Sequence, residues 1–265
     1  MKIAQRKIII TGAASGIGRA LLVRLAAYPC QIVAADRDAA GLAAAVAQSV
    51  GRATIFSFVG DLAQPAEIDR LLAYARAQIG GCDLCFANAG FAYYEQSGQA
   101  DWQHMQRLFE LNTFAPIYMA LRLRELDPER PYRVVITASA MAKFGVPGYA
   151  LYAASKAALD RFAEVYRYEL APNGRIALVY PISTRTNFFR AANASTPPIP
   201  WPSQSAEQVA TAVIRGVERG QDAIYPSRLF WWAWKISGIF PPLRIAYQRT
   251  QRRALKRWAQ QRERF

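Results

Sequence analysis

The sequence predicts an α/β fold, a single doubly wound, mostly parallel, seven-stranded sheet with helices on both faces. Three observations carry that expectation. Short apolar runs alternate with longer stretches of helical periodicity from Lys7 to Tyr225, the strand-helix order that a parallel sheet requires. The first run, Ile8-Ile9-Ile10, passes directly into a glycine turn that opens a helix. Several runs end on a polar residue, among them Asp36, Asn88 and Ser139, at the carboxyl end of a strand where ligands of open α/β sheets sit.

Taken in order, Lys7 to Thr11 is the first strand, and Gly12-Ala13-Ala14-Ser15-Gly16-Ile17-Gly18 leads into a helix through about Tyr28. Glycines let the backbone turn sharply and approach a ligand, and the free N–H groups of a helix start favour a pyrophosphate. Gln31 to Ala35 is the second strand, ending at Asp36, and an alanine-rich helix follows from about Asp38 to Val50. An acid there is placed to hydrogen-bond a dinucleotide's ribose and to repel a 2′-phosphate, which favours NAD; Arg37 beside it could hold that phosphate, so NADP is the alternative. Thr54 to Val59 is the third strand, ending at Asp61-Leu62, and Pro65 to Ile79 is a helix. Asp83 to Ala87 is the fourth strand, with Asn88-Ala89-Gly90 as its turn. A longer helix from about Asp101 to Leu123 carries Asn112, and Pro116 four residues on clashes with the carbonyl of Asn112, so a local kink is expected. Tyr132 to Ala138 is the fifth strand, with Ser139 at its end; a helix runs from about Tyr149 to Leu170, and Arg175 to Tyr180 is the sixth strand. Residues 181 to 204 hold five prolines and little periodicity, the texture of a substrate lid. A helix from about Ala206 to Glu218 and a last strand, Ala223 to Tyr225, complete the sheet.

Tyr152 and Lys156 stand one helical turn apart and share a face. A free tyrosine titrates near ~10, and lowering that by about 3 units takes roughly 4 kcal/mol. A cation ~4 Å away at an effective dielectric of ~20 supplies about as much. The lysine is therefore expected to bring Tyr152 into use as a proton donor and acceptor near neutral pH.

The composition is globular, 52% hydrophobic and 20% charged, with no low-complexity tract or repeat of fixed period. Three cysteines, Cys30, Cys82 and Cys85, are too few for a disulfide framework, and no leader-like segment precedes the first apolar run, so a reducing cytoplasm is expected. Cys82 and Cys85 have half-site spacing, but there is no second pair and His104 is the sole histidine. They read as small buried side chains, and no metal is expected.

Thr11-Gly12-(three residues)-Gly16-Ile17-Gly18, Asp61, Asn88-Ala89-Gly90, Asn112, Ser139 and Tyr152 with Lys156 together resemble the short-chain dehydrogenases/reductases, over about residues 5 to 227. The resemblance implies a Rossmann-like domain and an NAD(P)-dependent oxidoreductase of secondary alcohols and ketones. It implies that Gly12, Ser15, Gly16, Ile17 and Gly18 shape the pyrophosphate site, that Asp61 and Leu62 meet the adenine, and that Asn88, Ala89 and Gly90 line the cofactor. Tyr152 is implied as the acid/base, Lys156 as the ribose ligand, Ser139 as the donor to the substrate oxygen and Asn112 as the holder of a relay water. Pro181, Thr184 and Thr186 fall where the family's loop meets the nicotinamide. Two departures stand out: Ala87 replaces an asparagine, and Ile182 replaces a glycine, which a residue with a β-carbon cannot match at positive φ. A homodimer or homotetramer is a further implication of the resemblance.

Residues 228–265 read as a separate tail. It holds ten basic residues against Glu263 alone, +9 of the formal +14. Leu229 to Phe240 reaches about 18 Å as a helix, too short for the ~30 Å hydrocarbon core. After Pro241-Pro242, an apolar stripe of Tyr247, Ala254, Leu255 and Trp258 flanked by arginines suits an anionic membrane surface. Covering a substrate pocket or a subunit interface is the competing expectation; nucleic acid is not expected. With the lid and tail, the substrate is expected to be lipophilic, and the protein cytoplasmic or peripheral on that face of a membrane. The rival from another class is a non-catalytic dinucleotide sensor or scaffold at a membrane surface, which would need no proton relay.

Overall fold

In the computed structural model, residues 1–95, 100–186, 188 and 200–262 are described. The central sheet forms from β1 (Lys7–Thr11), β2 (Gln31–Asp36), β3 (Thr54–Val59), β4 (Leu84–Ala87), β5 (Tyr132–Thr137) and β6 (Gly174–Val179), with β7 (Ser183–Arg185) and β8 (Ser203–Ser205) apart from it and β9 (Ala223–Ile224) at its edge. The order is β3-β2-β1-β4-β5-β6-β9, and every neighbouring pair is parallel. The order reverses between β1 and β4, which opens the crevice that a doubly wound sheet offers to ligands.

Alternation along the strands sorts the core into two layers. Ile9 of β1 joins Val33, Cys85, Val134 and Ile136 on the face covered by α3 (Pro65–Ile79), α5 (Ala115–Leu126) and α6 (Ala150–Glu169). Ile8 and Ile10 join Ile32, Phe86, Val135 and Val179 on the other, against α1 (Gly16–Leu25), α2 (Ala39–Gln48) and α7 (Ala206–Glu218). Ile8, Ile9 and Ile10 are fully buried, each side chain contributing about 1.5–3 kcal/mol. Buried Cys82 and Cys85 belong to this packing.

The long helix expected around Asn112 is α4 (Trp102–Phe109) and α5 joined by a π-helical turn, Glu110–Phe114. Pro116 in the first turn of α5 has no N–H to give, and the helix just before it widens into the π turn. The tail is also helical: α8 (Arg228–Ile239) and α9 (Pro241–Arg262). No helix among the described residues is long and apolar enough to cross a membrane. Half of the expected lid, residues 187 and 189–199, lies outside the described residues; its two ends pair in parallel as β7 and β8, Thr184 opposite Gln204.

Candidate active site

The carboxyl ends of β1, β4, β5 and β6 meet at one crevice, and the glycine turn forms its floor. Gly12 and Gly16 have φ of +68° and +54°, which favours glycine. A Cβ on Gly18 would stand 2.0 Å from the Gly12 carbonyl oxygen, so α1 can approach the turn only without one. Ser15 precedes α1 without a capping side-chain bond, and no acid occupies its first turn, leaving first-turn N–H groups for an anion. Asp36 is fixed at the end of β2: its Oδ2 accepts from Ala14 N at 2.9 Å and its Oδ1 from Asp38 N at 3.0 Å. Arg37, Asp61 and Leu62 continue the same rim.

Asn88 ties three strands together. Its Nδ2 donates to the Thr11 carbonyl at 3.2 Å, its N–H donates to Thr11 Oγ1 at 2.9 Å, and Thr137 Oγ1 donates to its Oδ1 at 3.0 Å. Gly90 has no room for a Cβ, which would meet Asn112 Oδ1 at 2.8 Å. Asn112 is fully buried; its amide donates to the Phe91 carbonyl at 2.8 Å and its Oδ1 accepts from Phe91 N at 3.0 Å, so the π turn is locked to the strand β4 exit.

On α6 the buried stripe Tyr152, Lys156, Leu159, Ala163 and Tyr166 faces the sheet, which brings the first two under the end of β5. The Lys156 Nζ donates to the Thr137 carbonyl at 2.9 Å and lies 5.9 Å from the centre of the Tyr152 ring. Ser139 accepts from Met141 N at 3.0 Å, capping the 3-10 turn Ala140–Ala142, and its hydroxyl bonds the Tyr152 phenol. The expected electrostatics of this pair is corrected. Burial pushes Tyr152 up to about 12, opposed only by the Ser139 bond, and burial pulls Lys156 down to about 7. Desolvation disfavours both charges, and the ammonium is spent on a carbonyl rather than aimed at the phenol.

Pro181 accepts from Ala140 N at 2.9 Å, Thr184 Oγ1 donates to the Ile182 carbonyl at 2.9 Å, and Thr186 packs against Gly16. Among the described residues Gln5 is the non-glycine with positive φ, so the chain passes Ile182 in a conformation that its side chain tolerates. Of the residues expected in the site, all but Gly18 and Asn112 line one cavity of about 800 Å³, and those two stand behind its wall.

The other lobe of that cavity answers the competing expectation for the tail, that its aromatic residues cover a substrate pocket. Phe144, Phe188, Trp201, Phe230, Trp234 and Tyr247 line it, and the aromatic density of the tail was its one sequence signal. The stripe expected to face a membrane is turned inward: Leu255 and Trp258 are buried with Tyr94, Tyr149 and Tyr152, and Tyr247 packs beside them. The α9 stripe thus packs next to the Tyr152 side of the pocket, because the body offers Tyr94 and Tyr149 as apolar partners. Thr137 and Ser155 escaped the sequence reading, and Thr11 entered it only as part of the glycine motif, with no role of its own; Ser155 Oγ donates to the Tyr152 carbonyl at 2.8 Å.

A glycine cradle without β-carbons, an uncapped helix start and a carboxylate fixed at the end of β2 fit a dinucleotide, and beside them stand a phenol, a hydroxyl and an ammonium. Fold and site define the class, an NAD(P)-dependent oxidoreductase. The family model described as short chain dehydrogenase matches residues 6–197, and the chain belongs to that family. A 1-deoxy-11-beta-hydroxypentalenate dehydrogenase of Streptomyces exfoliatus is 33% identical over 233 residues, 85% of this chain and 83% of the relative. A hydroxysteroid 11-beta-dehydrogenase 1-like protein of Gallus gallus is 26% identical over 239 residues, 88% and 82% of the two chains. Among solved structures, a short chain dehydrogenase/reductase from Burkholderia phymatum in complex with NAD matches with a TM-score of 0.81 at 20% identity, covering 92% of this chain and 96% of that one. A short-chain dehydrogenase from Sphingobium yanoikuyae in complex with NADPH matches with a TM-score of 0.77 at 24% identity, covering 89% and 93%.

Proposed function

We propose that the protein interconverts a secondary alcohol and a ketone on a lipophilic molecule, with NAD preferred to NADP. When bound, the nicotinamide gives or takes the hydride. Tyr152 holds the exchangeable proton at its phenolic oxygen, and Ser139 donates a hydrogen bond to the substrate oxygen on which charge develops. Lys156, next to Gly90 and the Thr137 carbonyl, would bind the ribose and pass protons onward, and Asn112 holds the wall behind it. In the ketone-reducing direction the phenol gives up its proton as the carbonyl carbon gains hydride; in the other direction the phenolate takes the hydroxyl proton. The preference for NAD is supported by Asp36, whose carboxylate is held at the end of β2 by Ala14 N and Asp38 N, where it would meet a bound ribose, while Arg37 lies exposed on the rim.

The single observation that carries the reading is the meeting of Ser139, Tyr152 and Lys156 with an aromatic-walled lobe in one cavity. Residues 1–227 form the catalytic unit in this reading and 228–265 its cover. A homodimer or homotetramer belongs to the same proposal, supported by exposed Phe114 at the end of the π turn, Leu121 on α5, and Val165 and Tyr168 on α6. The test is a steady-state assay with NADH and NADPH over ketones of increasing apolar size. Activity should rise with apolar size and favour NADH, and Asp36→Ala should shift the preference toward NADPH by at least ~10-fold. Equal turnover of small polar carbonyls, or no turnover of any ketone, would overturn it.

A further inference from the structure

With the α9 stripe turned inward, the outer face of α8 is left exposed and apolar. Leu229 is 58% exposed, Trp232 59%, Ile236 47% and Ile239 87%, and Phe240 and Leu243 continue the patch through the turn into α9. The spacing of three, four and three residues sets the first four on one helix face. Exposed apolar surface of this continuity marks an interaction site. Leu229, Trp232, Ile236 and Leu243 also line the cavity that holds Tyr152, so the apolar surface runs unbroken from the cavity wall to the outside.

We infer that α8 and the α8–α9 turn dock on an anionic lipid bilayer and that the cavity opens into that docked face, admitting its substrate from the lipid. The second half rests on the proposed lipophilic substrate; the first does not. Charge selects the partner. Arg244, Arg249, Arg252, Arg253, Lys256 and Arg257 of α9 are exposed, none has a carboxylate within ion-pair distance among the described residues, and residues 228–262 contain no acid. A second copy presenting the same face would bring two such arrays together, which like charge opposes. An anionic headgroup layer over an apolar interior satisfies both the cations and the α8 face. At 12 residues α8 rises about 18 Å, so it lies in the interface and does not span.

Sedimentation of the full-length, NADH-bound protein with vesicles tests this, using phosphatidylcholine alone and phosphatidylcholine mixed with phosphatidylglycerol. The protein should sediment with the mixed vesicles, less so as salt rises, and only weakly with the neutral ones. Ile239→Glu/Phe240→Glu, outside the cavity lining, and Arg253→Glu/Arg257→Glu should each weaken binding at least ~10-fold. Both should keep wild-type kcat/KM on a water-soluble ketone, while the first loses turnover of a ketone delivered in the vesicles. Equal sedimentation with neutral vesicles, or variants that bind as wild type does, would overturn the proposal. So would light scattering that shows a dimer dissolved by Ile239→Glu/Phe240→Glu, since a second copy would then cover the face. Because binding is read without turnover, a protein that binds vesicles yet reduces no ketone refutes the enzymatic reading and leaves the docking intact.

Discussion

Tyr152 and Lys156 were legible in the sequence as a pair, because spacing alone places two residues on one helix face. Their electrostatics was not legible, because it depends on burial: Tyr152 is 8% exposed and Lys156 3%, and desolvation outweighs their mutual attraction. The consequence is directional. Tyr152, pushed up to about 12, carries its proton at neutral pH, so ketone reduction needs no prior ionisation. Alcohol oxidation needs the phenolate, and log(kcat/KM) for oxidation should climb with pH at a slope approaching about 1 through the neutral range; a flat profile would count against Tyr152 as the base. Ser139→Ala removes the one bond that favours the phenolate, and should lower kcat about 10²–10³-fold while moving the alkaline limb of the oxidation profile upward. Lys156 offers a stability test. Its folded value of about 7 lies below the ordinary 10.5, so the folded state binds fewer protons between those values and its stability rises with pH there. Relative to Lys156→Met, the wild type should therefore gain up to about 5 kcal/mol between pH 7 and 10.5, read from urea denaturation of the cofactor-free protein.

At the scale of elements, strands and helices were largely legible because their apolar runs are buried on both faces of the sheet and their caps and glycines punctuate them. The irregularities were only half legible. Pro116 announced a disturbance near Asn112, yet the wide π turn depends on Asn112 being recruited by Phe91, a contact between residues 21 positions apart. Asn112→Leu should leave both Phe91 backbone groups unpaired and cost about 2–4 kcal/mol, measured by urea denaturation, with turnover falling as well. A variant as stable as the wild type would mean that the asparagine does not hold the turn. The parallel pairing of β7 with β8 was not legible either: three-residue strands made of Ser, Thr, Arg and Gln carry no apolar alternation.

Across the whole molecule, the tail was legible only as a choice between two partners. An amphipathic stripe tells that a helix has an apolar partner but not which one, and of the two expectations, a membrane surface or a cover for the substrate pocket, the α9 stripe meets the second, on Tyr94 and Tyr149. That packing sets the roof of the substrate lobe. Trp258→Ala should loosen α9, raise KM for a lipophilic ketone about tenfold and leave the Kd for NADH unchanged by fluorescence titration; an unchanged KM would detach the tail from substrate binding. The central claim concerns the phenol in the cavity beneath that roof. Its most direct test is a stopped-flow single turnover, in which enzyme preloaded with NADH is mixed with a lipophilic ketone and the reduced nicotinamide absorbance is followed. The wild type should consume one NADH per site, while Tyr152→Phe should bind NADH equally well and react ~10²–10⁴-fold more slowly. A Tyr152→Phe variant that consumes NADH at the wild-type rate would contradict the account.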